Sequence, residues 1–136
     1  MRNIRRSIWG LGIASLCAHC VGCSSDDTTA PPNSDPIITA VRFFPAQVTP
    51  ADSFAVFCTA HEPDGDALLY DWSCTSGRIQ GSNGLQPLHL NNTTENVRVF
   101  YTSDDPNGPT SIRVDVVARD GRGCSASAFL MVDVTR

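Results

Sequence analysis

From residue 37 onward the chain is a series of short runs in which apolar and polar side chains alternate, separated by Pro, Gly, Asn and Asp. The most informative stretch is 62–73, Glu-Pro-Asp-Gly-Asp-Ala-Leu-Leu-Tyr-Asp-Trp-Ser. An acidic Pro/Gly turn leads into a run with Leu68, Tyr70 and Trp72 on one face and Leu69, Asp71 and Ser73 on the other. Period-two alternation after a turn predicts a half-buried strand. Trp72 is the largest apolar side chain after residue 36, so Trp72 with Tyr70 is the expected core anchor. The same reading predicts strands over 37–44, 53–61 (Phe54, Val56, Cys58 and Ala60 inward), 68–74, 78–81 and 96–102. Two more follow, over 111–119 (Ile112, Val114, Val116 and Ala118 inward) and 124–134 (Ala126, Ala128, Leu130, Val132 and Val134 inward). Residues 85–90 are a weak segment broken by Pro87. About seven short strands in about a hundred residues predict one all-β, two-sheet sandwich over 37–136.

The first 36 residues follow a different pattern. Met1 to Arg6 is basic, and Ser7 to Val21 is apolar and free of formal charge. At about fifteen residues the apolar run is shorter than the ~20 a membrane-spanning helix needs, and it fits a signal peptide. Residues 20–25, Cys-Val-Gly-Cys-Ser-Ser, resemble the lipobox of bacterial lipoproteins, in which a small residue precedes the cysteine that receives lipid. Gly22 and Cys23 match, whereas Cys20 stands where that family usually has Leu. The resemblance implies a signal peptide over 1–22 and lipidation of Cys23. Residues 24–36 contain no large apolar side chain, so 23–36 is expected to be a disordered tether. Under the same resemblance, Ser24 rather than Asp after the cysteine suits retention at the outer membrane of an organism that has one.

Charge narrows the function. Lysine is absent, and three of the ten Arg lie within residues 1–6. A chain beginning at Cys23 carries seven Arg against fourteen acidic residues, a net charge of about −7. Nucleic-acid binding, which relies on a basic footprint, is excluded as an expectation.

The run Pro-Asp-Gly-Asp with Leu-Tyr-Asp-Trp-Ser, the Ser-Gly-Arg-Ile-Gln-Gly turn (76–81) and Val-Asp-Val-Val-Ala-Arg-Asp-Gly-Arg-Gly (114–123) resemble bacterial PKD-like and related immunoglobulin-like domains. The Trp-Asp/Asn-Phe-Gly-Asp-Gly run of PKD domains proper is replaced by Ser73-Cys74-Thr75-Ser76-Gly77, so the broader immunoglobulin-like class is the closer fit. The resemblance implies a fold and says little about function, because such modules serve as spacers, adhesion units and binding accessories.

With the first segment removed and Cys23 lipidated, Cys58, Cys74 and Cys124 remain in an oxidising compartment. Cys58 and Cys74 both point inward by alternation, on strands flanking the acidic turn. Cys58 also precedes Trp72 by about the interval at which an immunoglobulin-like domain places its first core cysteine. A Cys58–Cys74 disulfide is expected, with Cys58–Cys124 as the alternative.

Glu62, Asp64 and Asp66 alternate across the acidic turn, and Asp120 is expected beside them. Such hard oxygen ligands could hold calcium, although the full calcium-loop pattern is missing. Otherwise they form a solvated turn. Asp104, Asp105 and Asn107 form a second acidic loop. His61 and His89 follow the tether, but no nucleophile motif accompanies them, and no catalytic residue is assigned. Asn91 to Thr94 contains glycosylation-type triplets and marks an exposed loop. Phe43, Phe57, Tyr101 and Phe129 are candidates for a partner face. The resulting expectation is a non-catalytic lipoprotein of the bacterial cell envelope, anchored by lipid and requiring no cofactor. Its sandwich would be a display module or would bind an extracellular or periplasmic protein or glycan. A carbohydrate-binding accessory module is the main alternative, and a small enzyme the remoter one.

Overall fold

The computed structural model describes residues 32–105 and 107–135; the expected signal peptide and Cys23 lie outside them. Among the described residues the regular structure is entirely β, as nine strands in two antiparallel sheets. They are β1 (Ile37–Phe44), β2 (Ser53–His61), β3 (Leu69–Cys74), β4 (Arg78–Gly81), β5 (Gly84–Gln86), β6 (His89–Thr93), β7 (Val97–Tyr101), β8 (Ser111–Arg119) and β9 (Ser125–Asp133). One sheet has the order β1-β2-β7-β4-β5 and the other β6-β3-β8-β9. This is the expected immunoglobulin-like sandwich, with more strands than the expected seven. Pro87 lacks the N–H that a ladder requires and divides the weak 85–90 segment. Its two halves, β5 and β6, join different sheets.

The alternation in the sequence becomes the inner face. Phe54, Val56 and Cys58 of β2 meet Tyr70, Trp72 and Cys74 of β3 and Ile112, Val114, Val116 and Ala118 of β8 in one buried cluster. Trp72 is 1% exposed and lies at its centre. Its ring packs 6.3 Å from Tyr70 and edge-on 6.1 Å from Phe100, and Phe100 stacks on Phe54 at 5.5 Å. Phe43, a candidate for a partner face, belongs instead to this core, edge-on to Phe54 at 6.4 Å.

The two long margins of the sandwich differ. On one side Val48 and Val134 form a parallel bridge, and Thr135 N–H donates to the Val48 carbonyl at 2.8 Å, drawing the sheets together. On the other side the short strands β4, β5 and β6 leave the seam open.

The folded region begins before Ile37. Asn33 Nδ2 donates to Asp120 Oδ2 at 2.6 Å, Ser34 N–H donates to Asp64 Oδ2 at 2.6 Å, and Pro36 is buried. The last residues of the expected tether are therefore hydrogen-bonded to the domain. Composition reports how little apolar area a segment can bury, but not whether its polar groups find partners.

Candidate functional site

The acidic turn carries the chain from β2 in one sheet to β3 in the other. Gly65, at φ +81°, closes it by donating its N–H to the Glu62 carbonyl at 3.1 Å. Donor atoms of Glu62, Asp64 and Asp66 lie within 4.8 Å of one another. Asp120 is not part of that group, although its turn lies at the same end of the sandwich. It is 4% exposed and accepts from Asn33, from Arg122 N–H (2.7 Å) and from Cys124 N–H (3.0 Å). Burial pushes its carboxyl up. The bonds from the Asn33 side chain and the Arg122, Cys124 and Gly123 backbone outweigh this and hold it below its ordinary value. The expected four-residue calcium set thus separates into a partly exposed trio and a buried carboxylate committed to its own turn. The trio is engaged as well: Asp64 accepts from Ser34, Asp66 pairs with Arg122 at 3.1 Å, and Glu62 Oε1 accepts from Asp64 N–H at 3.1 Å. Calcium takes six to eight oxygens. The three carboxylates hold six oxygens, but Asp64 already accepts from Ser34 and Asp66 faces the positive charge of Arg122. The second acidic loop is an Asx turn, in which Asp105 Oδ1 accepts from Asn107 N–H at 2.8 Å.

Cys58 and Cys74 are buried free thiols, so neither expected bridge forms. The sequence placed both correctly on inner faces of opposite sheets, but alternation does not report position along a strand. Cys58 is close enough to Tyr70 to help raise its phenol, after burial. Cys74 lies four residues beyond Tyr70, on the order of 13 Å along the strand. A disulfide needs Cα atoms about 4.4–6.8 Å apart. Burial pushes Cys58 up to about 12 and Cys74 up to about 11, so both thiols stay protonated and non-nucleophilic at neutral pH.

His61 ends β2 at the acidic end and is exposed. His89 begins β6 opposite Ser73, toward the other end of β3. The structure does not bring them together. Of the remaining candidate aromatics, Phe57 and Tyr101 are half-buried on the outer side of their sheet, and Phe129 lies beneath Arg113, 4.0 Å from guanidinium to ring centre.

At the open seam lies a groove that sequence reasoning missed. It has a volume of about 450 Å³ and runs between the β4–β5 turn and the segment from β6 to β7. Ser82, Asn91, Thr93, Thr94, Glu95 and Arg98 line it, and among the described residues Leu90 is the one large apolar contributor. Asn92, also on its wall, has φ +55° and donates its N–H to Asp71 Oδ1 at 2.8 Å. Asn tolerates that left-handed conformation better than most residues. Arg98 is unusual. Its cross-strand partner is the fully buried Val56, and Phe100 follows two residues later, so its side chain points between the sheets. Only 10% of that side chain is exposed. Nη2 pairs with Glu95, Nη1 donates to the Gln80 carbonyl at 3.3 Å, and Nε has no hydrogen-bond partner among the described residues. The sequence left the two faces of β7 unassigned, and its register with β2 turns Val97, Val99 and Tyr101 outward. A charged residue in register with an apolar one was the available signal, visible only once the β2–β7 pairing was known.

Together these features define an immunoglobulin-like β-sandwich with a polar groove at its open seam. No protein-family model matches the chain, and no curated protein is detectably similar to it.

Proposed function

We propose that this chain is a lipid-anchored protein of the bacterial cell envelope whose folded part is a non-catalytic, PKD-like module for binding or display. The observation that carries the reading is the order of parts along the chain: a basic then apolar segment, Gly22-Cys23, a polar spacer, and one sandwich. Its net negative charge favours partners other than nucleic acid. The fold adds a geometry consistent with anchoring. Asn33 and Ser34 fasten the incoming chain at the pole bearing the Asp64 and Asp120 turns, so a tether anchored at Cys23 leaves the opposite pole and the side seams facing outward.

The test is membrane fractionation of cells making the wild type or Cys23→Ala. The reading expects the wild type in the outer-membrane fraction and the variant released or left unprocessed. Equal behaviour of the two would contradict anchoring through Cys23. Carbohydrate binding is the second reading, favoured by the hydroxyl- and amide-lined groove rather than by a row of exposed aromatics.

A further inference from the structure

We propose that the open-seam groove is a binding site for a neutral, hydroxyl-rich ligand, a short glycan segment, with Arg98 as its central donor. This deepens the reading of the domain as a binding module, and rests on it.

Inner-face positions of β2, β3 and β8 hold apolar residues, and Arg98 occupies the equivalent position on β7. A charged side chain that is nine-tenths buried, with Nε unpartnered among the described residues, is destabilising relative to a fully satisfied one. An apolar residue there would serve the core at least as well, since replacing buried charges by apolar side chains is often neutral or stabilising. Arg98 breaks the local pattern, and its pairs with Glu95 and the Gln80 carbonyl still leave Nε unsatisfied, a departure that marks a candidate functional position.

The lining decides the ligand. Glu95 and Arg98 cancel in charge, so an anion meets Glu95 and a cation meets Arg98. Leu90 alone offers too little apolar surface for a hydrophobic ligand. What remains is a set of donors and acceptors: the Asn91 amide, the Ser82, Thr93 and Thr94 hydroxyls, the accepting Glu95 carboxylate and the donating Nη1 and Nη2 groups of Arg98. Sugar hydroxyls, which also donate and accept, complement that set. A volume of about 450 Å³ accommodates a few sugar units and falls within the ~300–1,000 Å³ of small-ligand sites. No aromatic ring among the described residues lines the groove, so the expected affinity is weak, with Kd between about 0.1 and 10 mM.

The test uses the full chain in detergent micelles, titrated with maltotriose, cellotriose, mannotriose and chitotriose and read by amide NMR shifts. At least one is expected to give saturable shifts at Asn91–Glu95 and at the Arg98 side chain. Arg98→Leu should weaken binding at least about tenfold while its melting temperature stays equal or rises. A residue of purely structural importance would not behave that way. Asn91, on the edge strand β6, and Thr94, just after it, are both exposed, so Asn91→Ala and Thr94→Ala should each weaken binding severalfold without unfolding. The proposal is overturned if no trisaccharide gives saturable shifts, if the shifts map elsewhere, or if an acidic trisaccharide or a peptide competes better. Any of these would leave the anchoring result at Cys23 untouched, so the two readings fail separately.

Discussion

Replacing Gly77 by Ala tests how the turn between β3 and β4 sits against the neighbouring strand β7. Gly77 has φ +89°, and a Cβ there would lie 2.1 Å from the Tyr101 carbonyl oxygen. That oxygen is backbone of β7, a strand paired on both sides, and it cannot swing away as a flexible side chain would. The positive φ alone costs an Ala about 1–2 kcal/mol. Displacing a packed strand adds about 1–3 kcal/mol, for a total of about 2–5 kcal/mol. Gly121 is the control: its φ is +75°, but nothing lies within 4 Å of the place a methyl group would occupy, so Gly121→Ala should lose only the φ cost. Urea unfolding of the two variants beside wild type measures the difference. Gly77→Ala is expected to be the less stable by at least about 1 kcal/mol. Equal losses would refute the close approach of this turn to β7.

Four further outcomes follow from the buried groups and the acidic turn. Cys58 and Cys74 should resist iodoacetamide at pH 8 in the native protein and react after denaturation. Rapid native labelling, or a Cys58–Cys74 disulfide peptide, would contradict the burial. Their raised thiols (about 12 and 11, from 9.0) also set an alkaline limit. Below pH 9 both states hold the proton. Above it the unfolded thiol ionises first, so each thiol lowers stability by up to about 1.4 kcal/mol per pH unit, in a window that a chain without lysine leaves free of ammonium titration. At the acid end the sign reverses. Asp120 is held below its ordinary 3.8, so it stabilises the fold above about pH 4, and that contribution is lost as the pH falls through its lowered value. Asn33→Ala removes one of its donors and should cost about 1–2 kcal/mol at pH 7. It should also move the acid transition to higher pH; unfolding curves superimposable on wild type at pH 7 and pH 3 would contradict the docking. Millimolar calcium against chelator should leave the melting temperature unchanged, because Asp64 and Asp66 are already engaged by Ser34 and Arg122; a clear rise would show that the turn opens to take the ion.

Much of the fold was legible because most strands keep strict alternation. The bounds of β1, β2, β4 and β8 coincide with the expected ones, and the inward residues of β2 and β8 are largely those the pattern selects. Legibility failed where period two carried no decisive contrast. Along β7, Val97 and Val99 compete with Arg98 and Phe100 for the inner face, and pairing with β2 decides in favour of the second pair. Cys58 and Cys74 show the other limit, since a face assignment does not set height along the strand. At the acidic end the sequence anticipated that two turns would meet, but it could not show that Asp120 would be buried and satisfied by Asn33. The groove was least visible, because it is assembled from three separate segments and its lining resembles ordinary loop composition.

The most direct measurement of the central claim is the intact mass of the native protein extracted from membranes. The account predicts a chain that begins at Cys23 and carries added acyl chains. A chain cleaved without lipid, or one that retains residues 1–22, would contradict it.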